Sequence, residues 1–264
     1  MKIKHLHISD LGDKSRQSVI FIHGFPFDHK MWDAQMESLS GEFRCIAYDI
    51  RGLGNSDALG GQFTIEDLTD DLFMIIEELK LNKPVICGLS MGGYIALRAV
   101  EKKQTAFSAL VLCNTKAAAD DDAGRLNRAE AIKKINQLGA PAFVSDFIPN
   151  CFSDVALKEI KESYDALIER AKGFDPVGLK GCLLAMASRT DTSSFLEKID
   201  IPVLVIAGAF DKIIPPEKMR LLASEIKDSE FAAAPMSAHV PPMENAGFVN
   251  DMIMGFIHRK ISEQ

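Results

Sequence analysis

A mostly parallel central sheet flanked by helices, an α/β architecture with an inserted helical cap, is what this sequence calls for. Short, continuously apolar runs, which read as strands buried on both faces, recur along the first half and again from residue 202. Helical patterns separate them, and that alternation implies parallel pairing with right-handed crossovers. Between about Thr115 and Asp191 the alternation stops and only helical patterns remain. An insertion between two strands of a parallel sheet lands above the carboxyl-end face, where the sites of open sheets lie. We therefore expect a core domain from residues 1–114 and 192–264, with a cap from 115–191.

In chain order, Lys2 to Ile8 is a short mixed strand, followed by a polar turn at Gly12 and Asp13. Val19-Ile20-Phe21-Ile22 is a buried strand that must stop at His23-Gly24-Phe25-Pro26. A helix covers Lys30 to Leu39. Phe43 to Tyr48 is the next strand, ending in a glycine-punctuated loop from Asp49 to Ser56. Thr64, with Asp67 three residues on, opens a helix running to about Lys80, whose Leu68, Leu72, Ile75, Ile76 and Leu79 share one face. Strand 84–88, a helix to Glu101 and strand Ala109 to Cys113 follow. In the insertion, helices are expected over Asp122 to Leu138, Phe143 to Ile148 and Ser153 to Lys172, and one opened by Asp175-Pro176. The sheet resumes at Pro202 to Ala207. A helix from Pro216 to Ile226, a weaker strand near Phe231 and a helix from Glu244 to Ile261 complete the chain.

The composition narrows the function classes. Thirty basic against thirty-seven acidic residues give a net charge of −7, which repels a phosphate backbone and argues against nucleic-acid binding. The five cysteines are odd in number and form no C-x-x-C pair, as expected for buried free thiols in a reducing compartment. No apolar run reaches the roughly 18 residues needed to span a bilayer, and residues 1–10 lack the apolar region of a signal peptide. A cytoplasmic protein without a membrane partner is the expectation.

Strand 84–88 runs into Gly88-Leu89-Ser90-Met91-Gly92, and a helix follows at once. Gly-x-Ser-x-Gly between a strand and a helix forms a nucleophile elbow: the tight turn thrusts the serine out over a helix N-terminus. A glycine-rich turn is the alternative where nothing else supports it. Serine catalysis also needs a base within reach and an acid to hold that base. Asp211 directly follows a buried strand, and His239 lies in the loop after the next one.

These features resemble the α/β-hydrolase superfamily over essentially the whole length. The likeness rests on His23-Gly24-Phe25-Pro26, Asp49-x-Arg51-Gly52-x-Gly54-x-Ser56, the elbow, Gly208-x-x-Asp211-x-x-x-Pro215 and the histidine loop with Glu244-Asn245. The resemblance implies Ser90 as nucleophile, His239 as base and Asp211 as acid, with the N–H groups of Phe25 and Met91 as the oxyanion hole. It is similar above all to the carboxylesterase and enol-lactonase branch, which implies a small-molecule ester or lactone substrate and no cofactor. Epoxide hydrolases and dehalogenases carry aspartate where this chain has Ser90. Asn114 occupies the alternative acid position and cannot carry the charge. Cofactor-free perhydrolases, with an aromatic-proline pair and a methionine where Phe25-Pro26 and Met91 stand, lyases of the same fold, and triad-retaining ligand receptors remain alternatives.

Pocket walls are expected from Phe25, Met91 and Val240, and from the insertion's Phe143, Phe147 and Met186, with Phe152 beside them; for the insertion residues, packing of cap on core is the competing reading. Asp49, Arg51 and Ser56 are read as holding their loop by ion pairs or turn hydrogen bonds. His5 and His7 share one face of a strand candidate, but no carboxylate or cysteine completes a metal pattern, so an edge strand is the simpler reading. His29 and Asp120-Asp121-Asp122 read as helix starts. Oligomeric state is not legible.

Overall fold

The computed structural model describes residues 1–261 of the 264. Its strands are β1 (Lys2–Ile3), β2 (Leu6–Leu11), β3 (Ser18–Ile22), β4 (Arg44–Tyr48), β5 (Val85–Leu89), β6 (Ala109–Cys113), β7 (Val203–Gly208) and β8 (Ser229–Ala234). They form one sheet in the order β1-β2-β4-β3-β5-β6-β7-β8. Every pair from β4 to β8 is parallel, and only the β1-β2 and β2-β4 pairs are antiparallel. Every residue of β3, β4, β5, β6 and β7 is buried, the burial that helices on both faces of a parallel sheet impose.

The helices of the first half are α1 (Asp33–Leu39), α2 (Ile65–Glu78) and α3 (Met91–Lys103). Asp67 completes a capping box on α2: its carboxylate accepts from Thr64 N at 2.8 Å, while Thr64 Oγ1 accepts from Asp67 N at 3.3 Å. The segment between β6 and β7 carries α4 (Asp122–Phe147), α5 (Ala156–Glu159), α6 (Lys161–Lys172) and α7 (Pro176–Ala187) and no strand. After β7 come α8 (Pro216–Ser224), α9 (Pro241–Glu244) and α10 (Ala246–Ile261). Among the described residues no helix is long and apolar enough to cross a membrane. All five cysteines are buried free thiols.

Four elements differ from the sequence expectation. The first strand is a hairpin, because Lys4 turns the chain at φ 51 and puts His5 in the turn instead of beside His7 on a strand. Residues 153–172 form α5 and α6 instead of one helix, since Ile160 leaves helical geometry at φ −108, ψ 26. The helices over 122–138 and 143–148 run on as α4, broken at Gly139 (φ 84, ψ 165) with Pro141 opening the second limb. The loop after His239 is partly helical: a four-residue turn, α9, precedes the last helix, which itself runs close to the expected span.

Candidate active site

Ser90 sits between β5 and α3 at φ 53, ψ −113, left-handed backbone that only surrounding structure can hold in a residue other than glycine. Its N–H is tied to Cys113 O at 3.0 Å, and its carbonyl accepts from Gly93 N at 2.9 Å and from Thr115 Oγ1 at 2.8 Å. A Cβ on Gly92 would drive into the carbonyl oxygens of Ile22 and His23, so α3 starts against the end of β3 only with glycine there.

The loop after β3 is fixed by His23, which is fully buried. Its Nε2 accepts from Ile50 N at 2.8 Å, which leaves Nδ1–H to donate to Gly24 O at 2.8 Å. Burial pushes the pKa of this imidazole down, in keeping with the neutral form that bonding requires. Phe25 follows. Its N–H and that of Met91, the first residue of α3, have no hydrogen-bond acceptor among the described residues.

Asp211 and His239 come from the ends of β7 and β8. Asp211 is buried; its Oδ1 accepts from Ile213 N and Ile214 N at 2.8 and 3.1 Å, and its Oδ2 meets His239 Nδ1 at 2.8 Å. With Nδ1 committed to the carboxylate, Nε2 is the ring nitrogen open for proton transfer. Ser90 and His239 line one cavity of about 280 Å³, with no direct hydrogen bond between them among the described residues. Catalytic hydrogen bonds of this kind often tighten only when substrate is bound.

Two further residues hold this geometry. Asn114, at φ 38, donates Nδ2 to Ala238 O at 2.8 Å and accepts from Gly208 N at 2.9 Å, joining the end of β7 to the histidine loop. Glu244 accepts from Ala238 N and Val240 N, the two neighbours of His239, at 2.8 and 3.1 Å, and from Ser153 N at 2.7 Å. Burial raises the Glu244 pKa against the pull of those N–H donors.

The six residues expected as pocket wall are divided by the fold. Phe25, Phe147 and Met186 line the cavity, together with Ile213 and Ile214. Met91 and Val240 are fully buried and are not among its lining residues, because the elbow and the histidine loop turn them into the core. Phe143 packs on Phe25 and Phe147, with ring centroids 6.0 and 5.6 Å apart, and otherwise borders an outer groove with Glu130, Lys133 and Lys134. Phe152 meets Tyr164 edge-on at 5.1 Å. Sequence reasoning missed the polar wall: Tyr94, Asn150, Lys116, Arg128 and Lys218. Lys116, just beyond the end of β6, had a positional signal. Arg128, on a helix polar nearly all round, had none.

Asp49 holds its loop. Its Oδ1 takes His29 N and Nδ1 at 2.8 and 2.6 Å and its Oδ2 takes Asn55 N at 2.8 Å, while Ser56 Oγ donates to its carbonyl at 2.6 Å. Arg51 makes a two-pronged ion pair with Asp71 at 2.9 and 2.7 Å. Donor atoms of His7, His29 and Asp49 lie within 4.8 Å of one another, but the carboxylate is already spent on the loop, so the cluster fits a structural role better than a metal. His5 pairs with Asp71 at 2.9 Å.

A serine on a strand-to-helix elbow, an imidazole held by a buried acid, and two N–H groups without acceptors define the class of site. Residues 17–152 match the α/β-hydrolase fold family, and the chain belongs to that family. A thermophilic esterase from Thermogutta terrifontis, with malate bound, superposes with a TM-score of 0.92 at 33% identity, covering 96% of this chain and 93% of that one. A 3-oxoadipate enol-lactonase from Acinetobacter baylyi is 26% identical, covering 96% of this chain and 93% of its own. A protein described as a non-heme chloroperoxidase from Synechocystis is 28% identical, at 96% and 94%.

Proposed function

We propose that the protein hydrolyses a small to medium carboxylic ester or lactone through an acyl-enzyme on Ser90. The observation that carries this reading is the 2.8 Å contact of His239 Nδ1 with Asp211, which leaves Nε2 as the free nitrogen of an imidazole sharing one cavity with the elbow serine. In this mechanism His239 takes the Ser90 proton as Oγ attacks the carbonyl carbon. The N–H groups of Met91 and Phe25 receive the developing oxyanion, each worth ~100–1,000-fold in rate for a typical donor. His239 then passes the proton to the leaving alkoxide and next activates the water that frees the acid, while Asp211 steadies the imidazolium. No step calls for a cofactor. Residues 115–191 act as the cap: Phe147 and Met186 close the cavity over Phe25. The esterase and enol-lactonase relatives support this chemistry, and family membership supports hydrolysis in general.

A fluorophosphonate probe is expected to label Ser90, and Ser90→Ala is expected to abolish labelling and to cut ester turnover by at least ~10⁴-fold. Full turnover of every ester by Ser90→Ala would overturn the reading. The chloroperoxidase relative favours a second reading in which peroxide replaces water at the acyl-enzyme. Peroxide-dependent bromination faster than ester hydrolysis would select it.

A further inference from the structure

A chain of net charge −7 gathers cations around this cavity. Lys116 comes from the loop after β6, Arg128 from α4 and Lys218 from α8, and all three line the space that holds Ser90 and His239. No Asp or Glu lines it among the described residues. Behind the wall, buried Asp120 binds three cations at once: Lys116 Nζ at 3.0 Å, Arg128 Nε at 3.1 Å and Arg189 Nη1 at 2.9 Å. One carboxylate cannot neutralise three cations. Lys218 adds a fourth with no acidic partner among the described residues, and Asp211 is committed to His239 and two backbone N–H groups.

Support of Asp120 alone does not account for this wall. Arg189 is buried, stacks on the Tyr94 ring at 4.1 Å and bonds the carbonyls of Met186 and Ala118, so it already serves as a structural partner. Lys116 and Arg128 are partly exposed and reach the cavity as well as Asp120. We infer that the cationic wall is a subsite for an anionic group of the substrate, so that the ester or lactone presented to Ser90 carries a carboxylate of its own. The inference rests on the ester or lactone reading above. The carbonyl would sit at Ser90, the carbon chain along Phe25 and Met186, and the carboxylate against Lys116, Arg128 and Lys218. Partial removal from water at Lys116 and Arg128 strengthens their contacts over the value in bulk solvent, and Lys218 reaches the group from the exposed side. For a half-ester, water adds across the acyl C–O bond and the products are a dicarboxylic acid and an alcohol.

The test compares monoethyl adipate with its neutral isostere, ethyl 6-methylheptanoate, and with ethyl 5-phosphonopentanoate, using the full chain at low salt. Monoethyl adipate is expected to show at least a tenfold higher kcat/KM than the isostere, and 0.5 M NaCl is expected to erase most of that advantage. Lys218→Met is expected to lower the adipate-to-isostere ratio about tenfold, and Lys227→Met, at a surface lysine paired with Asp200, to leave the ratio unchanged. Preference for the phosphonate, with both anions above the isostere, keeps the anionic subsite and makes phosphate its source. Equal or faster turnover of the isostere, with Ser90 still labelled by the fluorophosphonate, overturns the subsite and leaves the hydrolase reading standing. Absence of both labelling and turnover overturns the hydrolase reading, and the subsite with it.

Discussion

Glu244 accepts three backbone N–H groups, and His239 lies between two of the residues that donate them. The third donor, Ser153, belongs to the segment between β6 and β7, so one carboxylate ties the histidine loop to that segment. Glutamine keeps a single acceptor oxygen and must leave at least one buried N–H poorly satisfied, at about 1–3 kcal/mol. Glu244→Gln is therefore expected to lower kcat for a neutral ester about 10–100-fold with little change in KM, since the imidazole drifts while the cavity persists. Unchanged kcat with a lowered Tm would leave Glu244 a purely structural residue. Asn114 acts in the same way from the other side, bridging the end of β7 and the histidine loop. Neither role was legible in the sequence. The placement of Asp211 and His239 was, since Asp211 closely follows a buried strand and His239 lies in the loop after the next one, whereas the partners of Glu244 lie six, four and 91 residues away and only folding brings them together.

At the level of elements, the parallel strands deliver the site. The ends of β3, β5, β7 and β8 supply Phe25, Ser90, Asp211 and His239. The close approach of α3 to β3 depends on Gly92, whose added Cβ would meet backbone carbonyls that no rotamer can move aside. Gly92→Ala is expected to cost at least ~2–3 kcal/mol of stability and to lower kcat more than 100-fold by shifting the elbow. A variant with full activity and an unchanged Tm would refute that account. Buried strands were readable because each is a continuous apolar run. The hairpin of β1 and β2 and the break at Ile160 were not, since no proline or glycine marks them and tertiary contacts decide where those segments bend.

Over the whole molecule, two buried carboxylates set the response to acid. Burial would raise Asp49 and Asp120, but the hydrogen bonds and charge of His29 at Asp49, and those of Lys116, Arg128 and Arg189 at Asp120, hold each at about 2. The unfolded chain, with these groups near 3.9, binds more protons below that pH, so their stabilisation is complete above about pH 4 and is lost as pH falls towards 2. His29 runs the other way. Burial opposes its charge, yet Asp49 raises its pKa above the usual 6.5, so its share is present below pH 6.5 and fades as pH climbs past its folded value. A plot of Tm against pH is expected to fall steeply from 4 to 2, and Asp49→Asn to flatten that fall while lowering Tm throughout. An equally steep fall in Asp49→Asn would exclude Asp49 as a source.

The sequence by itself determined the strand-helix alternation, the elbow, the aspartate and histidine beyond their strand ends, and the position of the helical insertion. Those features are encoded by residues close along the chain: apolar runs, glycines around Ser90, and polar side chains placed in the loops after strands. The tertiary structure alone decided what the cavity is made of. It turned Met91 and Val240 into the core, set Phe143 behind Phe147, and brought Lys116, Arg128 and Lys218 from three separate elements to one wall. Charge carries no period that sequence can read, so where a lone lysine or arginine points is fixed only when the elements that bear it pack.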